Sequence, residues 1–510
     1  MTVQTISSGV TSSGLSVTSG NALSVLSGGV VVETSLLSGA TMTAAAGALA
    51  VNVTVAGGAS LLGAGEVEGQ IAVRGTVSGV SLAGSSGDSS IMSIRSGGRA
   101  LGVAVNSGGV EVVFAHGVAS GDVVGDGGVQ RVSSGGVVSA STVDSGGLLA
   151  VHSQGRSIGS IVRSAGLEVV SSLGLATGAW VVSSAGALRV LGDVLSGKVA
   201  RGGMETILSG GFADFGVMSG DEFVYGDVFS TSIGSGGSQS VEAGGKAFDL
   251  RVGSGGTVVV SAGGYIGESA YETEIAAGGV LRIKSGGSGY AIEVNGHATI
   301  LSGGVATATD VGVGGYEFDY GLTSAPQVGG TLLVAAGGAV SGELLLLEGG
   351  RAIISGTMSS GEVADFYAPR GTLELENLAG FHAAISGFNT SGQRIDLGGL
   401  AFASGSETIT WAQSGASGTL TVTDGAKVAA LTLVGTYVAS NFQLGDDGHG
   451  GTVITEPKRP AMTPNSPAIN HFAEAMAGLR GGRDQAFVVH SGGTALSNAP
   501  PLVTAATSGR

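Results

Sequence analysis

The chain has no cysteine among its 510 residues, so no disulfide contributes to its stability. Lysine is nearly absent and the formal net charge is −16. No basic stripe is available to neutralise phosphates, which argues against nucleic acid as a partner. Proline is scarce, with 8 residues, and glycine does not recur at every third position, which excludes a collagen helix. Gly, Ser and Thr interrupt every apolar run before it reaches about eighteen residues, so no membrane-spanning helix is expected. The opening residues, MTVQTISSGVTSSG, have neither a basic stretch nor an apolar stretch and do not read as a signal peptide. Charged residues make up only 12% of the chain, about half the usual quarter.

What is present is glycine, 98 residues of it, beside a hydrophobic content of 43%. Disorder requires low hydrophobicity and high charge, and this chain has the opposite balance. It has enough Val, Leu, Ile and Ala to build a core.

The glycines are periodic. Gly109, Gly128, Gly147 and Gly166 stand 19 residues apart, as do Gly237 and Gly256, and Gly245 and Gly264. Each period divides at glycine pairs into a short and a long half. The short halves read GGLLAVHS, GGTVVVSA, GGVLRIKS, GGTLLVAA and GGRAIISG. Their second and fourth residues after the pair are the inward positions of a period-two strand: Leu149/Val151, Val258/Val260, Leu281/Ile283, Leu332/Val334 and Ala352/Ile354. The long halves, such as GGVVSASTVDSGG and GGVATATDVGVGG, place Val138 or Ala306 near one corner and Val143 or Val311 further on. Two strands and two corners per coil of about 19 residues predict a parallel β-solenoid, an all-β, right-handed parallel β-helix. Glycine is expected where the backbone reverses with positive φ and where the next coil leaves no room for a Cβ. A β-sandwich of short strands is the competing architecture, but it does not require so regular a period.

The segment Ser134–Val151, SGGVVSASTVDSGGLLAV, resembles the passenger repeats of AIDA-type autotransporter adhesins, with degenerate copies at Gly244–Gly264 and Ser302–Gly315. That resemblance implies a secreted or cell-surface β-helix for adhesion, aggregation or biofilm formation. Its partners would be host or abiotic surfaces, glycans or further copies of the chain, together with a secretion machinery. Such autotransporters end in a membrane β-barrel, and the alternating strands and aromatic girdles of one are not seen here. The acidic, cysteine-free composition is similar to that of substrates exported through a C-terminal signal, and this route is the expectation.

Composition changes along the chain. Residues 1–210 hold two aromatics, Phe114 and Trp180, whereas residues 211–320 hold twelve, interleaved with acids such as Asp214, Asp221, Glu222, Asp227, Glu272, Glu274, Glu317 and Asp319. Aromatic faces stack on sugar rings and carboxylates accept from hydroxyls, so Phe212, Phe215, Tyr225, Tyr316, Phe318 and Tyr320 form the candidate glycan-binding surface. The structural alternative puts these rings inside a wider core and the acids at solvated corners. Tyr316–Gln327, YEFDYGLTSAPQ, breaks the rhythm and is expected to leave the solenoid as a loop. Residues 1–370 are read as solenoid and 371–456 as a β-rich C-terminal cap, with a tight turn at Asp424-Gly425. Residues 457–510 are read as a linker and largely disordered tail that would carry the export signal.

No catalytic motif appears. The seven histidines are scattered without metal-ligand spacing. A polysaccharide-cleaving β-helix would need two converging carboxylates, and Asp214 with Asp221 or Glu222 is the nearest approach to such a pair. No cofactor is called for, and calcium finds only a weak site in LGDDGHGG through Asp446 and Asp447. The reading is a non-catalytic structural repeat protein, extracellular or at the bacterial cell surface.

Overall fold

The computed structural model describes residues 2–455 apart from 86–87, 183–184, 270–271 and 403–405. Met1–Arg459 forms one compact unit, and the expected linker and tail lie outside the described residues, as does Tyr271. The unit is an all-β solenoid of stacked parallel coils. Among the described residues no helix is long and apolar enough to cross a membrane.

The coil beginning at Val137 shows the construction. Val137–Ser139 is a three-residue strand, Thr142–Val143 a two-residue strand and Leu148–Val151 a four-residue strand. Each pairs in parallel with its equivalent nineteen positions on: Val137 with Arg156, Thr142 with Ile161, Leu148 with Leu167. The expectation of two strands and two corners per coil is therefore corrected to three of each. The two-residue strand was concealed within the long half, because two residues are too few to display an alternation. Repeated along the chain, the three kinds of strand form three columns.

The inward positions follow from the pleat. Val138, Val143, Leu149 and Val151 are fully buried, and so are the inward pairs from Val258/Val260 to Ala352/Ile354. Each buried aliphatic side chain contributes about 1.5–3 kcal/mol, and parallel pairing stacks like on like into a continuous core.

The corners divide the two roles of glycine between two residues. In most pairs the first glycine is left-handed, with φ of 75° at Gly146 and 67° at Gly127. The second is excluded from having a side chain by the coil beneath. A Cβ on Gly128 would fall inside the van der Waals shell of the Val105 carbonyl oxygen, and one on Gly147 would meet Val124 likewise. The third corner is a single left-handed residue whose N–H reaches the neighbouring coil. At Ala140, φ is 52° and the N–H donates to the Ile158 carbonyl at 2.8 Å. Gly121 and Gly159 do the same in adjacent coils. In the first coils this residue lies between the other two columns, at Gly14, Glu33 and Asn52, and it moves to its later place by Gly79.

Coil length varies while register does not. Phe212 pairs with Asp227 fifteen positions on, and Arg251 pairs with Glu274 twenty-three positions on. This accounts for Tyr316–Gln327, which does not leave the solenoid as expected. Tyr316–Asp319, Leu322–Ser324 and Gln327–Val328 are three consecutive strands of the stack. The rhythm broke because the corner there is trimmed, with Tyr316 opposite Thr331 only fifteen residues later.

Parallel pairing continues through Gly392–Ala401 against Arg370–Leu375. Beyond it the strands Thr408–Ser414, Ser417–Asp424 and Lys427–Val434 run antiparallel to one another, with Gly425 at φ 57° between the last two, while Lys427–Val434 also pairs in parallel with Ala384–Ser386. Gln443–Asp446 and Gly451–Thr455 complete the antiparallel set, the latter pairing with Gly392–Ala401. A second, aromatic-rich core lies here. Phe366 packs on Phe388 and Tyr437 on Phe442, and the Tyr437 hydroxyl donates to the Phe388 carbonyl at 2.8 Å.

The two glycine roles respond differently to substitution. Gly121→Ala places in one coil what Ala140 already is in the next, at a cost of about 1–2 kcal/mol for the left-handed conformation. Gly128→Ala must push two coils apart and is expected to lower the denaturant midpoint well beyond Gly121→Ala. Urea titration of both variants by circular dichroism measures the difference, and equal midpoints would contradict the stacking argument.

Candidate functional site

Two aromatic patches lie on the outside of the shaft, and the structural alternative of rings inside a widened core is not what is observed. The first runs up the three-residue column. Phe212, Phe229, Phe248 and Tyr265 occupy outward positions in consecutive coils, with ring centroids 5.5, 4.8 and 5.7 Å apart in turn. Each ring is half-buried by its neighbours, so the stripe is held by aromatic contacts worth about 0.5–1.5 kcal/mol apiece. Burial, with Tyr290 and Glu268 nearby, holds the Tyr265 phenol above its ordinary pKa.

The second patch is on the four-residue column. His297, Tyr316, Phe318 and Tyr320 follow one another with centroids 6.1, 6.2 and 4.8 Å apart. The register Asp221–Ser238–Thr257–Val280–His297–Tyr316 puts it five coils from the level of Tyr225, about 24 Å along the axis at ordinary strand spacing. The six sequence-predicted residues therefore fall in separate places. Phe212 and Phe215 belong to the first patch, Tyr316, Phe318 and Tyr320 to the second, and Tyr225 stands alone at a corner. Phe215, Tyr225 and Tyr320 are well exposed, whereas Phe212, Tyr316 and Phe318 are partly covered by their neighbours in the ladders.

A groove of about 460 Å³ opens beside the first patch, lined by Phe215, Ser230, Asp249, Arg251, Glu272 and Glu274 among others. Its origin is a mismatch in perimeter. The fifteen-residue coil beginning at Phe212 is followed by two nineteen-residue coils, beginning at Asp227 and Lys246, and then by the twenty-three-residue coil beginning at Tyr265, so the perimeter widens along the groove. Phe215 occupies the left-handed corner with φ 56° and is 62% exposed, which leaves its ring open to solvent. Ser230 and Asp249 directly follow the stacked Phe229 and Phe248, so groove and stripe are continuous. Arg251 pairs with Glu274 at 3.6 Å. Above them Glu274, Glu293 and Asp310 stand in register in successive coils. Burial and the neighbouring Glu293 and Glu272 carboxylates raise the Asp310 carboxyl above its ordinary range. Sequence reasoning marked Phe215, Glu272 and Glu274 but missed Ser230, Asp249 and Arg251. The irregular spacing between Gly256 and Gly279 was the one available signal.

The acids divide by pleat position. Asp214, Asp221, Asp227, Glu272 and Glu274 are outward or at corners, whereas Glu222, Glu317 and Asp319 point into the shaft and are fully buried. These three cannot serve a surface ligand, contrary to the sequence expectation, because they occupy the second and fourth positions of four-residue strands. Asp214 and Asp221 lie in different columns, so the carboxylate pair considered for glycoside cleavage is not assembled. Asp446 and Asp447 close a turn: Asp446 Oδ1 accepts from the Gly448 N–H at 2.8 Å, and Asp447 Oδ1 accepts from His449 and Gly451. These bonds hold the Asp447 carboxyl below its ordinary pKa. Among the described residues no three His, Cys, Asp or Glu are grouped to hold a metal ion.

No protein-family model matches the sequence, and no curated protein matches it. A solved structure of a TibC-catalysed, hyper-glycosylated TibA fragment is similar over 64% of this chain and 99% of its own, at 26% identity and a TM-score of 0.40. The fold assignment rests on the strand register described above.

The rings differ in kind. Phe248→Ala removes two ladder contacts and is expected to destabilise the coils by about 1–3 kcal/mol. Phe215→Ala, with its ring open to solvent, is expected to stay within about 0.5 kcal/mol of the parent. Thermal unfolding of both variants checks this, and a large loss for Phe215→Ala would make that ring structural.

Proposed function

We propose that this protein is a non-catalytic, secreted or surface-displayed rod that adheres to glycans through the stripe and groove around Phe215. The observation that carries the reading is a run of aromatic rings on the outer surface, continuous with a groove whose wall carries the carboxylates of Asp249, Glu272 and Glu274 against the single cation Arg251. An open ring offers a face to a pyranose, and Asp249, Glu272, Glu274 and Ser230 accept hydroxyl hydrogen bonds. Arg251 supplies a planar donor beside them. A wall of this charge favours neutral or amino sugars and repels sialylated or uronic chains. A long rod that repeats its surface fits adhesion, aggregation or a biofilm matrix. The alternative, a β-helix lyase or glycoside hydrolase, receives no support from the separated positions of Asp214 and Asp221.

Binding of the intact chain to an array of neutral, amino and acidic oligosaccharides tests the reading. Neutral or amino glycans are expected to bind and acidic ones not, with Phe215→Ala weakening binding about tenfold, or about 1.4 kcal/mol. Retention of full affinity by Phe215→Ala, or absence of binding to every glycan, would remove the proposal.

A further inference from the structure

The core of the shaft is not uniformly apolar. In the second position of successive four-residue strands, Leu149, Glu168, Leu188, Glu205, Glu222 and Gln239 stand in register, one coil apart. All six are buried. Glu168 receives a hydrogen bond from the Ser160 hydroxyl, and Glu222 receives one from the Gln239 amide at 2.6 Å. Glu205 is different: neither of its carboxylate oxygens meets a donor, and Glu222 Oε1 is also unpartnered.

We propose that the coils around Glu205 and Glu222 are a proton-fastened section of the shaft, closed while these two carboxyl groups hold protons and opening locally once they lose them. Three observations of geometry support it. The two glutamates are direct neighbours in register, so ionising both sets like charges one strand apart with no solvent between. Among the described residues no cation acts on Glu205. Glu168 is the remaining acid acting on Glu205, and the column otherwise offers Leu188 and Gln239. Beside Glu205 stand Val194 of the three-residue column and Gly197 of the third edge, and their equivalents one coil on are Ala213 and Gly216. The coils are also shorter than the usual nineteen residues, since the register steps there are seventeen and fifteen. A glycine stands at Gly197 and Gly216 where the earlier coils have Ser141 and Ser160. Less apolar burial is available to offset an uncompensated charge.

The proton affinities agree with this geometry. Burial, then the charges of Glu222 and Glu168, holds the Glu205 carboxyl well above the ordinary range. Burial raises Glu222 to about 7, with its Gln239 bond acting in the opposite direction. A carboxyl whose pKa is higher folded than unfolded costs the fold nothing below the unfolded value. It costs progressively more as pH rises towards the folded value, and the full amount above it. The section is thus most secure in mild acid and weakens through neutrality, the reverse of a salt-bridged carboxylate.

Hydrogen exchange of the intact chain, followed by mass spectrometry from about pH 5 to about pH 9 and corrected for intrinsic rates, reads this directly. Peptides spanning Met204–Val224 are expected to show an opening constant that climbs with pH, up to about tenfold per unit for each carboxyl being ionised. Peptides spanning Thr41–Val55, whose inward residues are Met42, Ala44, Ala50, Val53 and Val55, are expected to stay flat. Glu205→Leu combined with Glu222→Gln should flatten the first profile, because Leu188 already fills the same column one coil away. A pH response shared by both segments, protection that increases with pH, or a slope that survives the double variant overturns the proposal. Should the double variant not fold, the two segments of the parent protein still decide between these outcomes.

Discussion

Every coil is built against the carbonyl oxygens of the coil below it. At ordinary interstrand spacing, about 4.8 Å, the corner backbone approaches so closely that Gly128 and Gly147 have no room for a side chain. The left-handed residue at the third corner turns its N–H to the neighbouring layer, as Ala140 does to Ile158. Glycine content, the narrow aliphatic core and the parallel register are consequences of that approach. A residue with a Cβ at the second glycine would separate the layers, and the columns of Val, Leu and Ile would lose the contacts that fill them.

The pleat then decides what each side chain can do. On a four-residue strand, alternate positions face solvent and core, so Phe318 joins an external aromatic stack while Glu317 and Asp319 on either side are shut inside. Glu317 reaches the Thr323 hydroxyl at 2.6 Å, and Asp319 Oδ1 accepts from the Gly321 N–H at 2.7 Å. Burial, with the nearby Glu317, raises the Asp319 carboxyl to about 7. An acidic chain of this kind carries part of its acidity where it never meets solvent. Its outer surface is correspondingly less anionic than the formal charge implies.

Much of the architecture was legible because the core obeys a short period. Glycine pairs marked two corners of each coil, and the alternation after them identified Leu149 and Val151, or Val258 and Val260, as inward. The third corner was not legible, since Ala140, Ser196 and Phe215 carry no compositional mark of the left-handed conformation they share. Tyr316–Gln327 was misread for a related reason: a shortened coil breaks the spacing without breaking the stack. The aromatic-rich segment stood out by composition, but its division into two patches depends on which column each ring occupies. The buried glutamates could have been located by applying to LEVV, METI and DEFV the same alternation that worked for LLAV.

The unequal coils have a further consequence. Steps of fifteen, nineteen and twenty-three residues all advance the molecule by one layer, because the surplus or deficit is absorbed at a bend between strands. The rod is therefore graduated in layers, not in amino acids. Lengthening a bend alters the girth at that level and leaves the alignment of everything above and below untouched. Ledges and recesses such as the one at Phe215 can thus be carved at any height without recutting the shaft.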